Sequence, residues 1–183
     1  VRLVRPADLT SLIGDLHPAY PYLSLVHRAD YLRCELLHRY GGVYCDCDTI
    51  CCSDLLAPLA TLAAGASAVL FDAPLLFEAG MNAGLFRRAS FFTSCWRAAV
   101  HTRLDCRAHS LREFRAQNPS LREDGLDWNE LLRDIVVPLV SATHQLLPGS
   151  LAQTLRAYHW CPEQPQGFDP MLLAPSEAWC PPA

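Results

Sequence analysis

The stretch "HRADYLRCELLHRYGGVYCDCDTI", His27 to Ile50, contains a change of period that decides the fold. Up to Tyr40 the apolar residues recur every three or four positions. Val26, Ala29, Leu32, Leu36, Leu37 and Tyr40 then fall on one side of a helix running from about Ser24 to Tyr40, and that side is expected to be buried. Gly41 stops the helix as a left-handed cap, and Gly41 with Gly42 makes the tight return into a strand. Val43 to Cys47 is short, rich in β-formers, and bounded by glycine on one side and charge on the other, which reads as a buried strand. Successive strand side chains point to opposite faces. Asp46 and Asp48 therefore share one face, about 6.7 Å apart, and Cys45 and Cys47 share the other.

Two carboxylates this close repel by roughly 3 kcal/mol at an effective dielectric of about 20, and a divalent cation removes that cost. Oxygen ligands favour Mg²⁺ or Mn²⁺, ions that use one or two carboxylates and complete their shell with phosphate oxygens and water. In open α/β sheets such ligands bind beyond the C-terminal ends of the strands, where this pair lies. A solvated turn is the plain alternative for "DCD" taken by itself. Cys45 and Cys47 are expected to face inward, as small hydrophobes rather than as a thiolate metal cluster.

Outward from this stretch, residues 1 to 22, with Pro6, Pro18 and Pro21, read as a short helix followed by a loop. Leu55 to Ala64 reads as a helix, and Ala68 to Phe71 and Gly84 to Arg87 as strands. Ser90 can cap a helix through Trp96 to about Arg103. The polar, arginine-rich segment 105 to 126 reads as a surface excursion. Asp127 can cap a helix beginning "WNELLRDI", which Pro138 should end or kink. Ala157 to Trp160 reads as a last strand. Helices alternating with strands, without an internal repeat, point to an α/β sheet.

The composition narrows the function further. The chain has 183 residues, 51% hydrophobic and 19% charged, with 14 prolines, which suits one globular, loop-rich domain. No apolar run is long enough to span a bilayer. A net charge of −4 with scattered arginines gives no reason to expect nucleic acid. There is no lysine, so Schiff-base chemistry and any catalytic lysine are excluded. Nine cysteines match no zinc-finger or zinc-ribbon spacing, and sequence alone cannot pair them. The first residue is Val1 rather than methionine, which reads as a fragment or a processed product.

Residues 27 to 50 resemble the DXD-motif glycosyltransferases, whose sugar-binding region runs AD-x-x-R, six apolar-rich residues, then Y-G-G-x-Y-x-D-x-D. That group includes α-1,6-mannosyltransferases, lactosylceramide α-1,4-galactosyltransferases and, more remotely, glucosylating bacterial toxins. The resemblance implies a GT-A-like α/β fold, a Rossmann-type mixed sheet flanked by helices. It also implies that Asp30 and Arg33 touch the donor sugar, that Tyr44 lies beside the donor phosphates, and that Asp46 and Asp48 hold the metal. "MNAGLFRRASFF" resembles a further family segment, making Asn82 a candidate for the donor sugar or acceptor. "AYHW" resembles a terminal strand and makes His159 a candidate third metal ligand. Trp128 and Trp160 are candidate sugar platforms, with core tryptophan as the expected reading of both.

Read this way, residues 1–183 form one partial catalytic domain, lacking the N-terminal nucleotide-binding unit such enzymes carry, with a proline-rich irregular tail at 161–183. The expected reaction is metal-dependent transfer of a hexose, with retention, from a nucleotide-sugar donor to a glycan, glycolipid or glycoprotein acceptor. Asp46 and Asp48 are the catalytic pair, Asp30, Arg33, Tyr44 and Asn82 bind the donor sugar, and Asp46, Asp48 and His159 bind Mn²⁺ or Mg²⁺. Eukaryotic relatives would act in the Golgi lumen. Two alternatives stand beside this reading: a non-catalytic sugar-nucleotide or metal-binding module, and a haloacid dehalogenase-like phosphatase with Asp46 as nucleophile and Asp48 as acid/base. The phosphatase would also need a later lysine or arginine and a second acidic motif.

Overall fold

The computed structural model describes residues 3–47, 49, 55–63, 65–73, 78–146 and 171–175. A 3₁₀ turn at Pro6–Asp8, the short helix α1 (Leu9–Ile13) and a second 3₁₀ turn at Tyr20–Tyr22 lead into α2 (Leu25–Tyr40). There follow β1 (Gly42–Cys45), α3 (Leu56–Ala63), β2 (Ala68–Ala73), β3 (Glu78–Phe86), α4 (Phe91–Gln117), α5 (Arg133–Leu146) and β4 (Met171–Pro175). The sheet runs β1-β3-β2-β4, with β3 antiparallel to β1 and β2, and β4 parallel to β2. The chain is mixed α/β, as expected, with a small sheet.

Alternation along the strands sorts the core into two layers. Ala68, Leu70 and Phe86 meet Tyr31, Cys34 and Leu37 of α2, five apolar residues of α4 from Phe92 to Leu111, and Ile135 and Val136 of α5. On the other face Val69, Ala83 and Leu85 are covered by Leu62 of α3. Ser90 caps α4 and Ser24 caps α2, each through a side-chain oxygen that accepts the N–H three residues on.

Several expectations are corrected. The strand after Gly41 is not buried: β1 is an edge strand, and Val43 and Cys45 are exposed, as is Cys47 just beyond it. Tyr44 and Asp46 are partly covered instead, because the helix layer packs on their side of β1 while the α3 side stays open. The two residue types do separate onto opposite faces, but the inward face is the one predicted for the carboxylates. The buried face of α2 overlaps the predicted apolar stripe only in part: Leu37 is buried and Val26, Leu32 and Leu36 are half-buried. It consists of His27, Asp30, Tyr31, Arg33, Cys34, Glu35 and Leu37, while Ala29 and Tyr40 are exposed.

Helix α4 continues to Gln117, well past Arg103, so half of the predicted surface excursion is helix. Trp96, Val100, Leu104 and Leu111 form its buried seam, and the charge around the remaining surface hides that period from a compositional reading. Asp127 does not cap the next helix. Residues 127 to 132 form a turn, and α5 starts at Arg133 and passes through Pro138 to Leu146. Burial of Leu131, Ile135 and Val136 offsets the one intrahelical bond the proline cannot donate. Within 161–183, Met171–Pro175 is strand β4; the expected strand at Ala157 to Trp160 lies outside the described residues.

The Gly41 return has a stronger requirement than chain reversal. Its φ is +65°, and a Cβ there would stand 2.6 Å from the Arg88 amide nitrogen and 2.7 Å from the Phe86 carbonyl oxygen, both backbone atoms that cannot swing aside. Gly42, at φ +106°, has nothing within 4 Å of such a Cβ. Gly41→Ala is therefore expected to cost about 2–4 kcal/mol, and Gly42→Ala less because it adds strain without a clash. Urea unfolding midpoints at an unchanged slope measure the difference, and equal losses would refute the clash.

Candidate active site

Arg33 leaves α2 toward the end of β1 and meets Asp46, the first residue past the strand. Its Nη2 donates to Asp46 Oδ1 at 3.0 Å, and the Tyr44 hydroxyl donates to the same oxygen. The guanidinium carbon of Arg33 also lies 4.0 Å from the centroid of the Tyr44 ring, a cation–π contact. Asp30 Oδ1 stands 3.6 Å from Arg33 Nη2, one turn back on α2. The site is graded in depth: the Asp30 and Arg33 side chains are each 6% exposed and Asp46 is 34% exposed. One Asp46 carboxylate oxygen, Oδ1, is thus held by both Arg33 and Tyr44, and among the described residues no hydrogen bond is made to Oδ2.

Burial raises the pKa of Asp30; Arg33 and His27 oppose that shift and the charge of Asp46 adds to it. Burial and the bond to Asp46 push the Tyr44 phenol far above its ordinary range. Tyr44 is consequently a neutral donor and not a base.

The first turn of α2 is held by a pair that the sequence reading did not find. His27 Nδ1 lies 2.8 Å from Asp124 Oδ2 and His27 Nε2 lies 3.1 Å from the Asp127 carbonyl oxygen. Asp124 also accepts from the Ser24 and Leu126 amides, at 2.6 and 3.1 Å. Both imidazole nitrogens face acceptors, which selects the doubly protonated ring. Burial alone would lower the His27 pKa, but the Asp124 contacts reverse it and the net shift is upward. Burial likewise works against the Asp124 carboxylate, yet His27 and the two amides bring its pKa down to about 2. Further along α2, buried Glu35 accepts from Arg97 Nε at 2.8 Å and pairs with His101 Nε2 at 2.6 Å, locking α2 to α4. The partners lie 62 to 97 residues apart, and no local pattern announces them. The only sequence signal is that His27, Asp30, Cys34 and Leu37 recur at helical spacing.

Of the predicted site residues, Asp30, Arg33, Tyr44 and Asp46 converge. Asn82 is in β3, next to the Ala83 that pairs with Cys45. Asp48, His159 and Trp160 lie outside the described residues. Trp128 is not a core residue; it is 71% exposed on the turn before α5. Among the described residues no group of three or more His, Cys, Asp or Glu side chains is arranged to hold a metal ion. No described helix is long and apolar enough to cross a membrane.

Residues 6–66, about a third of the chain, match the family model described as the glycosyltransferase sugar-binding region containing a DXD motif. The matched span contains all four converging residues, and the match supports a glycosyltransferase-like role with sugar or nucleotide-sugar partners. No curated protein and no solved structure matches the chain.

The His27–Asp124 pair gives the site a pH signature. Asp124, depressed from 3.8 to about 2, contributes stability that is present above its unfolded value and lost as pH falls through the folded one. His27, raised above 6.5, contributes stability that is complete below that value and lost as pH rises through its folded pKa. The pair is thus strongest between about pH 4 and pH 6.5. Asp124→Asn should remove roughly 2 kcal/mol at about pH 5 and much less at about pH 2. Urea titrations at both pH values check this, and a loss independent of pH would show that the pair does not ionise as described.

Proposed function

We propose that this chain transfers a hexose from a nucleotide sugar to an acceptor hydroxyl, with retention at the anomeric carbon, on a GT-A-like framework formed by 1–183 as one catalytic domain. The observation that carries the reading is the shared Asp46 oxygen: Arg33 and Tyr44 converge on one carboxylate at the open end of β1, inside the matched span. Such convergence stores orientation before any ligand arrives.

The oxygen chemistry of Asp46 fits a hard divalent ion better than it fits a soft one, and Asp48 is two residues on. Asp46 and Asp48 would hold Mn²⁺ or Mg²⁺, with His159 as a candidate third ligand. Bound there, such an ion would supply positive charge toward a diphosphate leaving group, where each ~1.4 kcal/mol is tenfold in rate.

The chain's own groups do the rest. Arg33, stacked on Tyr44 and bonded to Asp46, presents a guanidinium in a fixed plane, and Asp30 beside it is a buried acceptor for a sugar hydroxyl. Tyr44 stays protonated and donates, fixing the carboxylate without taking a proton from substrate. Asn82, on β3 next to the Ala83 that pairs with Cys45, is a further candidate polar group for the sugar or the acceptor. No side chain is assigned as nucleophile.

A panel of nucleotide sugars with Mn²⁺, scored for hydrolysis and for transfer, tests the reading. Asp46→Ala and Asp48→Ala are each expected to lower turnover at least about 100-fold, roughly 3 kcal/mol of barrier, and to weaken Mn²⁺ binding in calorimetry. Arg33→Lys keeps the charge but loses the planar stack, and should raise KM for the donor more than it lowers kcat. Unchanged Mn²⁺ binding and turnover in both aspartate variants would remove the proposed metal role.

A further inference from the structure

Three buried side chains of α2, His27, Asp30 and Arg33, follow one another at three-residue steps and so lie along one side of the helix. Their charges alternate in sign, and the alternation continues past both ends. Asp124 stands 2.8 Å from His27, and Asp46 stands 3.0 Å from Arg33. Five charges, Asp124, His27, Asp30, Arg33 and Asp46, therefore form a row that leads from the 124–127 turn to the end of β1.

Asp30 is the least supported member of the row. It is 4% exposed, its ion pair with Arg33 is 3.6 Å long, and among the described residues no hydrogen bond is made to it. Neighbouring charge has to keep this carboxylate ionised against the cost of burial. Arg33 is shared, because the same nitrogen, Nη2, also holds Asp46, whose own negative charge works against Asp30. The second cation acting on Asp30 is His27, which lowers the pKa of the carboxyl, while Asp30 in turn raises that of the imidazole. Charge on the elements around them is engaged elsewhere. Arg97 and His101 of α4 are taken by Glu35, and Arg28 reaches the Pro21 carbonyl and the Tyr20 ring.

What keeps His27 charged lies outside α2. Asp124, 2% exposed and 97 residues away in sequence, faces Nδ1, and the Asp127 carbonyl oxygen faces Nε2. A neutral imidazole donates to only one of these acceptors. The remote turn thus fixes a cation one helical turn from Asp30.

We propose that His27, held by Asp124, is a positioning residue for Asp30: it keeps that carboxylate charged to accept a hydroxyl of the donor sugar, and so sets the acid limit of donor-sugar binding. That Asp30 meets a sugar rests on the glycosyltransferase reading; that His27 governs the charge of Asp30 does not. Asp30 protonates as pH falls, and His27, raised above 6.5, is charged throughout that range. Removing the His27 charge therefore moves the limit to higher pH, by about one to two units for charges about 6 to 10 Å apart at an effective dielectric of about 20.

The full chain without added metal is titrated by NMR. The Asp30 carboxyl carbon, assigned by its loss in Asp30→Asn, is expected to titrate about one pH unit or more higher in His27→Gln than in the unaltered chain. Linkage demands the reciprocal, a His27 ring that titrates lower by the same amount in Asp30→Asn. This second measurement decides the coupling even if His27→Gln does not fold. A shift of less than about 0.3 unit overturns it, since a purely structural His27 would change the urea midpoint and leave the Asp30 titration in place. Binding of UDP-glucose, UDP-galactose, UDP-N-acetylglucosamine and GDP-mannose is then compared with that of UDP and GDP, with Mn²⁺, from about pH 4.5 to pH 7.5. The affinity gained from the sugar should fall about tenfold per unit below the limit, and that limit should lie about one unit higher in His27→Gln. A gain that His27→Gln leaves unmoved removes the donor role of His27. If no nucleotide sugar binds better than its nucleotide, the glycosyltransferase reading falls and the donor role falls with it, whereas the two NMR titrations still decide whether His27 governs Asp30.

Discussion

Helix α2 buries charge, and each charge buried there has to be answered by another part of the chain. An unpaired ion in the interior costs several kcal/mol, so His27, Asp30, Arg33 and Glu35 impose contacts that an all-apolar helix would not. His27 calls in the 124–127 turn, Arg33 calls in the end of β1, and Glu35 calls in α4. The tertiary arrangement around the site follows from answering these four residues. Leucines at the same positions would pack in many registers, whereas a guanidinium that must reach Asp46 and a carboxylate that must reach Arg97 fix one.

The same constraint explains why the site is both rigid and open. Arg33 and Tyr44 restrict Asp46 from the buried side, yet β1 is an edge strand whose other face is exposed. The carboxylate is therefore pinned by one oxygen, and among the described residues no hydrogen bond reaches the other. Gly41 makes this possible, because only a residue without a Cβ brings the chain past the Arg88 and Phe86 backbone closely enough to start β1 beneath α2. The 127–132 turn belongs to the same mechanical unit, since it is fastened to the first turn of the helix that carries Asp30 and Arg33.

What was readable along the chain was whatever depends on neighbours in sequence. The helix from Ser24 to Tyr40, the glycine return, the short strand, the Ser90 cap and the separation of Asp46 from Cys45 all rest on local spacing, and each is present. Asp30, Arg33, Tyr44 and Asp46 were singled out together through the family resemblance, and a helix, a two-residue turn and a strand bring them into contact. The errors have a common form. Period identifies a face of an element but not what lies against that face, so Ala29 and Tyr40 of α2 were assigned inward and the cysteines of β1 were assigned to the core. The full length of α4 was missed because its buried seam is narrow and charge surrounds it.

By itself, then, the sequence determined α2, the glycine return, the strand after it and the Ser90 cap, because those are governed by dihedral preference and by spacings of a few residues. Only the tertiary structure decided which side of α2 is buried, that β1 lies at the sheet edge with its cysteines exposed, and that His27 pairs with Asp124 and Glu35 with Arg97 and His101. Those outcomes depend on how buried charges at long separation find one another, and that competition is settled by desolvation and packing of the whole chain, which no local window contains.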